Sequence, residues 1–218
     1  MKKTLNTFVL AVLAGFCIGL GGNVFLALIG TNKALGAVLF TVGLFTICTN
    51  GFNLFTGKAC YIFDNPPSYL LTLVIIWLGN LVGTGAMALI VRGTRLADSY
   101  IEAAQGLVAA KNADSLLSLF LLAIVCNTLI YIAVDGFKNN PHEVGKYLAL
   151  VFGVVVFILA GTEHSIADMY YYAVAGELFS AATLGNALLR ILVISLGNIV
   201  GGLILPVGKK ISKSLSEA

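Results

Sequence analysis

Glu163 and His164 stand side by side within residues 151–176, VFGVVVFILAGTEHSIADMYYYAVAG, a stretch otherwise apolar enough to lie in lipid. An acid and an imidazole are groups that hold and pass protons, and imidazole changes charge near neutral pH. Near the middle of a bilayer they are costly unless they are paired, face a cavity or sit where a helix is broken. Gly161 directly precedes them and offers such a break. Asp168 follows His164 by four residues, which puts both on one face if helix resumes there, and a carboxylate so placed would raise the imidazole's affinity for a proton. Intramembrane enzyme chemistry would need a metal motif such as H-E-x-x-H or a nucleophile dyad. Glu-His occurs once, His142 falls in a loop, and Cys17, Cys48, Cys60 and Cys126 lack metal-ligand spacing and read as small buried hydrophobes. The expectation is a protein without metal, cofactor or enzymatic activity.

The elements that must hold these residues are set by the solvent. With 59% hydrophobic residues, 11% charged residues and a mean hydropathy of +0.97, the 218-residue chain is an integral membrane protein. A crossing needs about 20 mainly apolar residues, and six stretches qualify: 7–29, 35–63, 69–91, 114–134, 147–175 and 187–207. The start resembles a secretory signal, but its apolar run continues past Gly22 without a small-x-small cleavage site, so it reads as a retained span. If both termini are cytoplasmic, the inner segments hold Lys2, Lys3, Lys58, Lys138, Lys146, Lys209, Lys210 and Lys213. The outer ones hold Lys33, Arg92, Arg95, Lys111 and Arg190. The bias favours that orientation, and the formal charge of +3 reflects topology and anionic lipid rather than nucleic acid.

The chain also repeats itself. Gly79-Asn80-Leu81-Val82-Gly83 in the third span recurs as Gly197-Asn198-Ile199-Val200-Gly201 in the sixth. Gly51-Phe52-Asn53-Leu54-Phe55-Thr56 in the second span matches residues 161–166 in the fifth, aligning Asn53 with Glu163 and Leu54 with His164. Three spans per half force the second half into the membrane in the opposite sense, an inverted repeat whose broken helices meet near the midplane. Non-helical backbone survives there only inside protein or beside a water-filled cavity, so two facing breaks predict a pathway. Exposed half-helix N-termini would add partial positive charge and favour an anion.

At these residues the chain resembles the formate/nitrite transporter family, small-anion channels that include hydrosulfide channels. The likeness covers nearly the whole length. It is carried by N-L-F-T-G at 53–57, G-x-E-H-S-I-A-x-M at 161–169, Cys126-Asn127 and G-N-I-V-G-G at 197–202. The resemblance implies an all-α membrane protein of six transmembrane helices, an aquaporin-like inverted repeat of three spans each with broken second and fifth helices. It implies one channel domain over 1–218, with pseudo-repeats of about 1–100 and 101–218. It further implies a homopentamer in the lipid of a prokaryotic cytoplasmic membrane, with one small-anion pathway per subunit. Carried over by position, His164 is the central histidine, Thr56 the threonine that hydrogen-bonds it, and Lys111 the vestibule lysine. Leu54, Phe55, Ile130 and Leu44 form a cytoplasmic narrowing, Phe40 and Phe157 a periplasmic one, and Asn127 and Asn198 add polar groups beside the pathway.

The implied function is a channel or proton-coupled facilitator for formate, nitrite or hydrosulfide. A bare anion pays heavily at two apolar constrictions and its neutral acid far less. Lys111 would draw the anion in and ease its protonation, and His164 would give or stabilise the proton. His164 also admits a structural reading, a neutral imidazole that orients Thr56, and Lys111 one as an ordinary interfacial lysine. Glu163 reads as a carboxylate that stabilises the loop by accepting backbone N–H bonds. A water or glycerol pore is the alternative function, but its paired Asn-Pro-Ala loops are missing from a chain whose prolines are Pro66, Pro67, Pro141 and Pro206. Two departures from the family pattern bear on substrate and pH response: Asp168 replaces a usual asparagine, and Asn53 a common glutamate.

Overall fold

A computed structural model describes residues 2–217. It consists of helices and connecting turns, with no strand among the described residues. The first half holds α1 (Lys2–Leu28), α2 (Lys33–Asn50), the short α3 (Phe55–Ala59) and α4 (Tyr69–Arg92). The connector α5 (Ala97–Ala113) leads to α6 (Leu116–Asn139), α7 (Glu143–Leu159), α8 (Ser165–Ala175) and α9 (Leu184–Ser216). Five of these, α1, α2, α4, α6 and α9, are long and apolar enough to cross a membrane.

The burial pattern is that of a bundle made for lipid. Large apolar side chains cover the outside, among them Leu71 and Leu117, each 67% exposed, and Phe152 at 61%. The interior instead collects polar groups: Thr56, Asn80, Asn127, Glu163, His164, Asp168 and Asn198 are all buried. Water would reverse that distribution, whereas hydrocarbon tolerates it where interior polar groups find partners within the protein.

Small residues set how closely the helices meet. A Cβ at Gly83 would land on the Val12 carbonyl oxygen of α1, and one at Gly201 on the Ile124 carbonyl oxygen of α6. Gly79 meets Ala11, and Gly197 meets Phe120 and Ala123, in the same manner. The repeated G-N-x-V-G segment is thus the contact strip of α4 on α1 and of α9 on α6, where only glycine admits backbone at that distance.

Helix ends are written in the sequence. Gly51 closes α2 with φ 69°, and Gly161 follows α7 with φ 67°, both left-handed and so suited to glycine. Asn32 caps the start of α2 and Ser115 that of α6 through side-chain oxygens. Several boundaries differ from expectation. The final helix runs to Ser216 rather than 207 because its polar end stays helical while Lys209 pairs with Asp135 and Lys210 with Asp64. The 92–114 connection contains α5, a full helix that hydropathy does not reveal because it is too polar to count as a span.

Candidate functional site

Two non-helical segments, between α2 and α3 and between α7 and α8, meet in the interior, and each is held by one asparagine. Asn80 Oδ1 accepts the Phe55 N–H at 2.8 Å, while its amide donates to the carbonyls of Ala11 at 2.8 Å and Asn53 at 2.9 Å. Asn198 repeats the arrangement: Oδ1 accepts the Ser165 N–H, and its amide donates to Ala123 and Glu163, all at 2.9 Å. Each staple ties the first amide of a half-helix, the last carbonyls of the loop and a neighbouring helix together. The amides of Phe55 and Ser165 are therefore taken by protein and are not offered to a solute as the sequence suggested. Asn80 was not singled out as a site residue, although the repeated pentapeptide carries its signal.

Asn127 and Asn198 are fully buried and line neither of the two cavities described below. Asn127 donates to the carbonyls of Thr56 at 3.1 Å and Asn198 at 2.7 Å, so from α6 it ties the start of α3 to α9. Truncating a staple orphans several buried groups at once, each costing about 1–3 kcal/mol. Asn80→Ala and Asn198→Ala should each lower the melting temperature of the detergent-solubilised protein markedly; a melt matching the parent would show that the staples carry no such load.

The breaks touch through side chains at Thr56 and His164, whose Oγ1 and Nε2 lie 2.9 Å apart. Nδ1 of His164 accepts the Ala167 N–H at 3.1 Å, capping α8, and so carries no proton. Nε2 then bears the proton and donates it to Thr56 Oγ1. This is a neutral imidazole with both nitrogens engaged, and adding a proton at Nδ1 would break the cap. Phe157 stacks on the ring at 5.5 Å between centroids, and Phe40 meets Phe157 edge-on at 6.1 Å.

A cavity lies on each side of this centre. The first, of about 760 Å³, is lined by Leu44, Leu54, Lys58, Lys138 and Lys146 among others. The second, of about 500 Å³, is lined by Lys111, Phe157, Glu163, His164 and Asp168 among others. Thr56, Phe40, Phe55 and Ile130 belong to neither lining and are at most 5% exposed, so the material between the cavities is dry and mainly apolar.

At the floor of the second cavity Lys111 is ion-paired with Glu163 and, at 2.9 Å, with Asp168 Oδ1. The Glu163 carboxylate thus binds an ammonium rather than backbone N–H groups, while its backbone carbonyl is held by Asn198. Asp168 likewise pairs with Lys111 instead of acting on the imidazole. Lys111 stands in α5, outside the spans; burial disfavours its charge, but Asp168 and Glu163 outweigh that and hold it above the ordinary lysine range. Arg190 fixes this end of α5 by donating to the carbonyls of Lys111 and Asn112, each at 2.7 Å, and of Asp114 at 2.9 Å, a cation on a helix C-terminus. Its role was not foreseen, since nothing local marks an arginine that acts across 79 residues of chain. The corresponding position in the other break, Asn53, bears no charge and donates to the Thr7 carbonyl, so the ion cluster exists on one side only.

The formate/nitrite transporter family model matches residues 1–209. "Formate-nitrite transporter 3" of Toxoplasma gondii is 30% identical over 93% of this chain, which spans 46% of that protein's length. The "Probable formate transporter" of Methanothermobacter thermautotrophicus is 29% identical over 91% of this chain and 85% of its own. Among solved structures, a pentameric formate channel with formate bound superposes with a TM-score of 0.80 at 24% identity, covering 99% of this chain and 98% of that one. That last likeness speaks to fold.

Proposed function

The chain belongs to the formate/nitrite transporter family, and we propose that it is a channel or proton-coupled facilitator for small monovalent anions of weak acids, formate, nitrite or hydrosulfide. The observation that carries this reading is the dry, apolar closure around a neutral His164–Thr56 pair, set between two cavities that each contain lysine. Lysine in each vestibule suits an anion, whereas the closure suits an uncharged solute. A weak acid satisfies both by changing form on the way.

In this account α2 with α3, and α7 with α8, each make one crossing interrupted at the midplane. The protomer then has six spans arranged as an aquaporin-like inverted repeat within a single domain. The matching staples of Asn80 and Asn198 support that arrangement. Both termini lie in the cytoplasm of a prokaryotic cell: the first cavity opens beside Asp64, which pairs with Lys210 near the C-terminus, on the more lysine-rich side. Five copies assemble in the membrane, as in the pentameric formate channel it resembles, and the apolar outer faces supply the surface.

The anion is held at the Lys111 cluster, takes up a proton, and passes Phe157 and Phe40 as the neutral acid. His164 Nε2–H and Thr56 form the one polar station between the narrowings, and Leu44, Leu54, Phe55 and Ile130 make the inner one. No step transforms the solute covalently beyond protonation, so the protein acts as a pathway and not as an enzyme. A water or glycerol pore would share the apolar closure but leaves the lysines in both cavities unexplained.

Liposomes carrying the purified protein test the reading with formate, nitrite, hydrosulfide, acetate and glycerol across a pH series. At least one small weak-acid anion should cross, with glycerol no faster than in protein-free vesicles. His164→Asn, which loses the Nε2–H donor to Thr56, should keep a pathway but conduct more slowly; unchanged flux would leave the imidazole outside the pathway.

A further inference from the structure

Lys111 is one cation shared by two carboxylates that reach the same nitrogen. With Glu163 and Asp168 both ionised the cluster would carry one negative charge in excess, directly where an anion must arrive. Asp168 is 1% exposed, and its Oδ2 is the only carboxylate oxygen among the buried polar atoms of the described residues that find no hydrogen-bond partner. An ionised oxygen so placed has no protein donor to offset its desolvation. Two carboxyl groups crowded on one site do not both ionise; they hold one proton between them.

The charged and titratable neighbours do not alter this balance. Cys126 of α6 and Tyr171 of α8 are neutral at ordinary pH, and His164 is neutral by its hydrogen bonds. Arg190 of α9 and Arg92 of α4 keep their charge but are held away from the two carboxyl groups, Arg190 on the carbonyls at the end of α5 and Arg92 on the Val174 carbonyl at the far end of α8, and neither pairs with Glu163 or Asp168. Lys33 and Asp114 line the same cavity with opposite formal charges, and neither is ion-paired with Lys111, Glu163 or Asp168. From packed α1 and α3, Asn23 meets Tyr170 and Thr56 meets His164, and neither titrates.

We infer that Glu163 and Asp168 hold one dissociable proton over Lys111, and that Asp168, through Oδ2, is the residue that gives this proton to the incoming anion. In the transfer the Asp168 O–H bond breaks and a new bond to hydrogen forms on the anion, whose charge is lost. Asp168 is left as a carboxylate facing Lys111, and the neutral acid moves on past Phe157. Hydronium from the water of the second cavity restores the carboxyl group, so each cycle consumes one proton from that side. The transport step rests on the proposed function; the protonated carboxyl does not.

Infrared difference spectra of the parent in nanodiscs, recorded through a pH titration, should show the carbonyl stretch of a buried carboxylic acid near neutral pH. It should be absent in Asp168→Asn, which keeps the shape of the side chain and loses the exchangeable proton. In liposomes Asp168→Asn should displace the pH of half-maximal formate flux by about one unit or more, a tenfold change in proton affinity. Glu163→Gln, which leaves Asp168 alone with Lys111 and therefore ionised, should remove the same band. A parent without a protonated carboxyl at neutral pH overturns the inference even if anions are conducted. So does an Asp168→Asn channel with the parent's pH profile. Absence of anion flux in the parent, with the carboxyl band present, would instead count against the proposed function alone.

Discussion

Lys111→Met should abolish anion flux and lower the stability of the protein in the same stroke. The ammonium is the shared partner of Glu163 and Asp168, both nearly sealed from solvent. Removing one member of a buried ion pair costs about 3–5 kcal/mol, because the charge left behind has neither water nor partner. The carboxyls would respond by taking up protons, leaving the second cavity without its central cation and without a group that releases a proton to an anion. Flux of formate or nitrite should therefore fall to the protein-free level. Adding Glu163→Gln and Asp168→Asn to Lys111→Met removes the orphaned charges, and the melting temperature should recover while flux does not. A single variant that melts and conducts like the parent would mean that Lys111 is an ordinary interfacial lysine.

The pH dependence of that stability has a definite sign. Lys111 is held above its unfolded value, so its contribution is complete below about pH 10.4 and is lost only as pH rises through the higher folded value. Titration from neutral pH upward should leave the melt unaffected by Lys111 until strongly alkaline conditions.

The second large effect comes from a methyl group. Gly201→Ala would put a Cβ onto the Ile124 carbonyl oxygen, and Gly83→Ala onto that of Val12. Both neighbours are helix backbone and cannot step aside as a side chain would. The helices must separate, at a cost of about 1–3 kcal/mol or more for overpacking, and Asn198 or Asn80 in the same strip is carried off its staple. Each variant should yield less folded protein and a lower melting temperature, whereas alanine at Gly85 or Gly208, where a Cβ meets nothing, should be neutral. Equal stability of Gly201→Ala and the parent would mean that the contact strip yields freely.

Much of this was legible in the sequence because it is local or repeated. Apolar length marked the long helices, Gly51 and Gly161 marked the ends of α2 and α7, and the two G-N-x-V-G segments marked the strips that α4 and α9 present. Glu163 and His164 stood out because ionisable groups are rare in such a segment. What lay hidden depends on contacts between distant parts of the chain. The pairing of Lys111 with Asp168 joins α5 to α8, and no local pattern says that a lysine ending a polar connector will turn inward. The helix α5 itself escaped notice because its composition is neither apolar enough for a span nor punctuated like a loop. Arg190 reads as a loop-side cation until α9 brings it onto the carbonyls of α5.

That clustering also changes how the departure at Asp168 is understood. Next to an imidazole an aspartate would tune a histidine. Paired with Lys111 it turns a cation–anion pair into a three-membered site that can store a proton, and Asn53 in the other break offers no counterpart. Under the proposed mechanism, that asymmetry puts the protonation step on the second-cavity side.

The most direct measurement is the internal pH of liposomes containing the protein, followed with a trapped dye after an inward formate gradient is imposed. Movement of the neutral acid through the closure around His164 predicts acidification of the lumen, faster than in protein-free vesicles and insensitive to an imposed voltage. Formate entry that follows the voltage and leaves the lumen pH unchanged, or glycerol entry without formate, would contradict it.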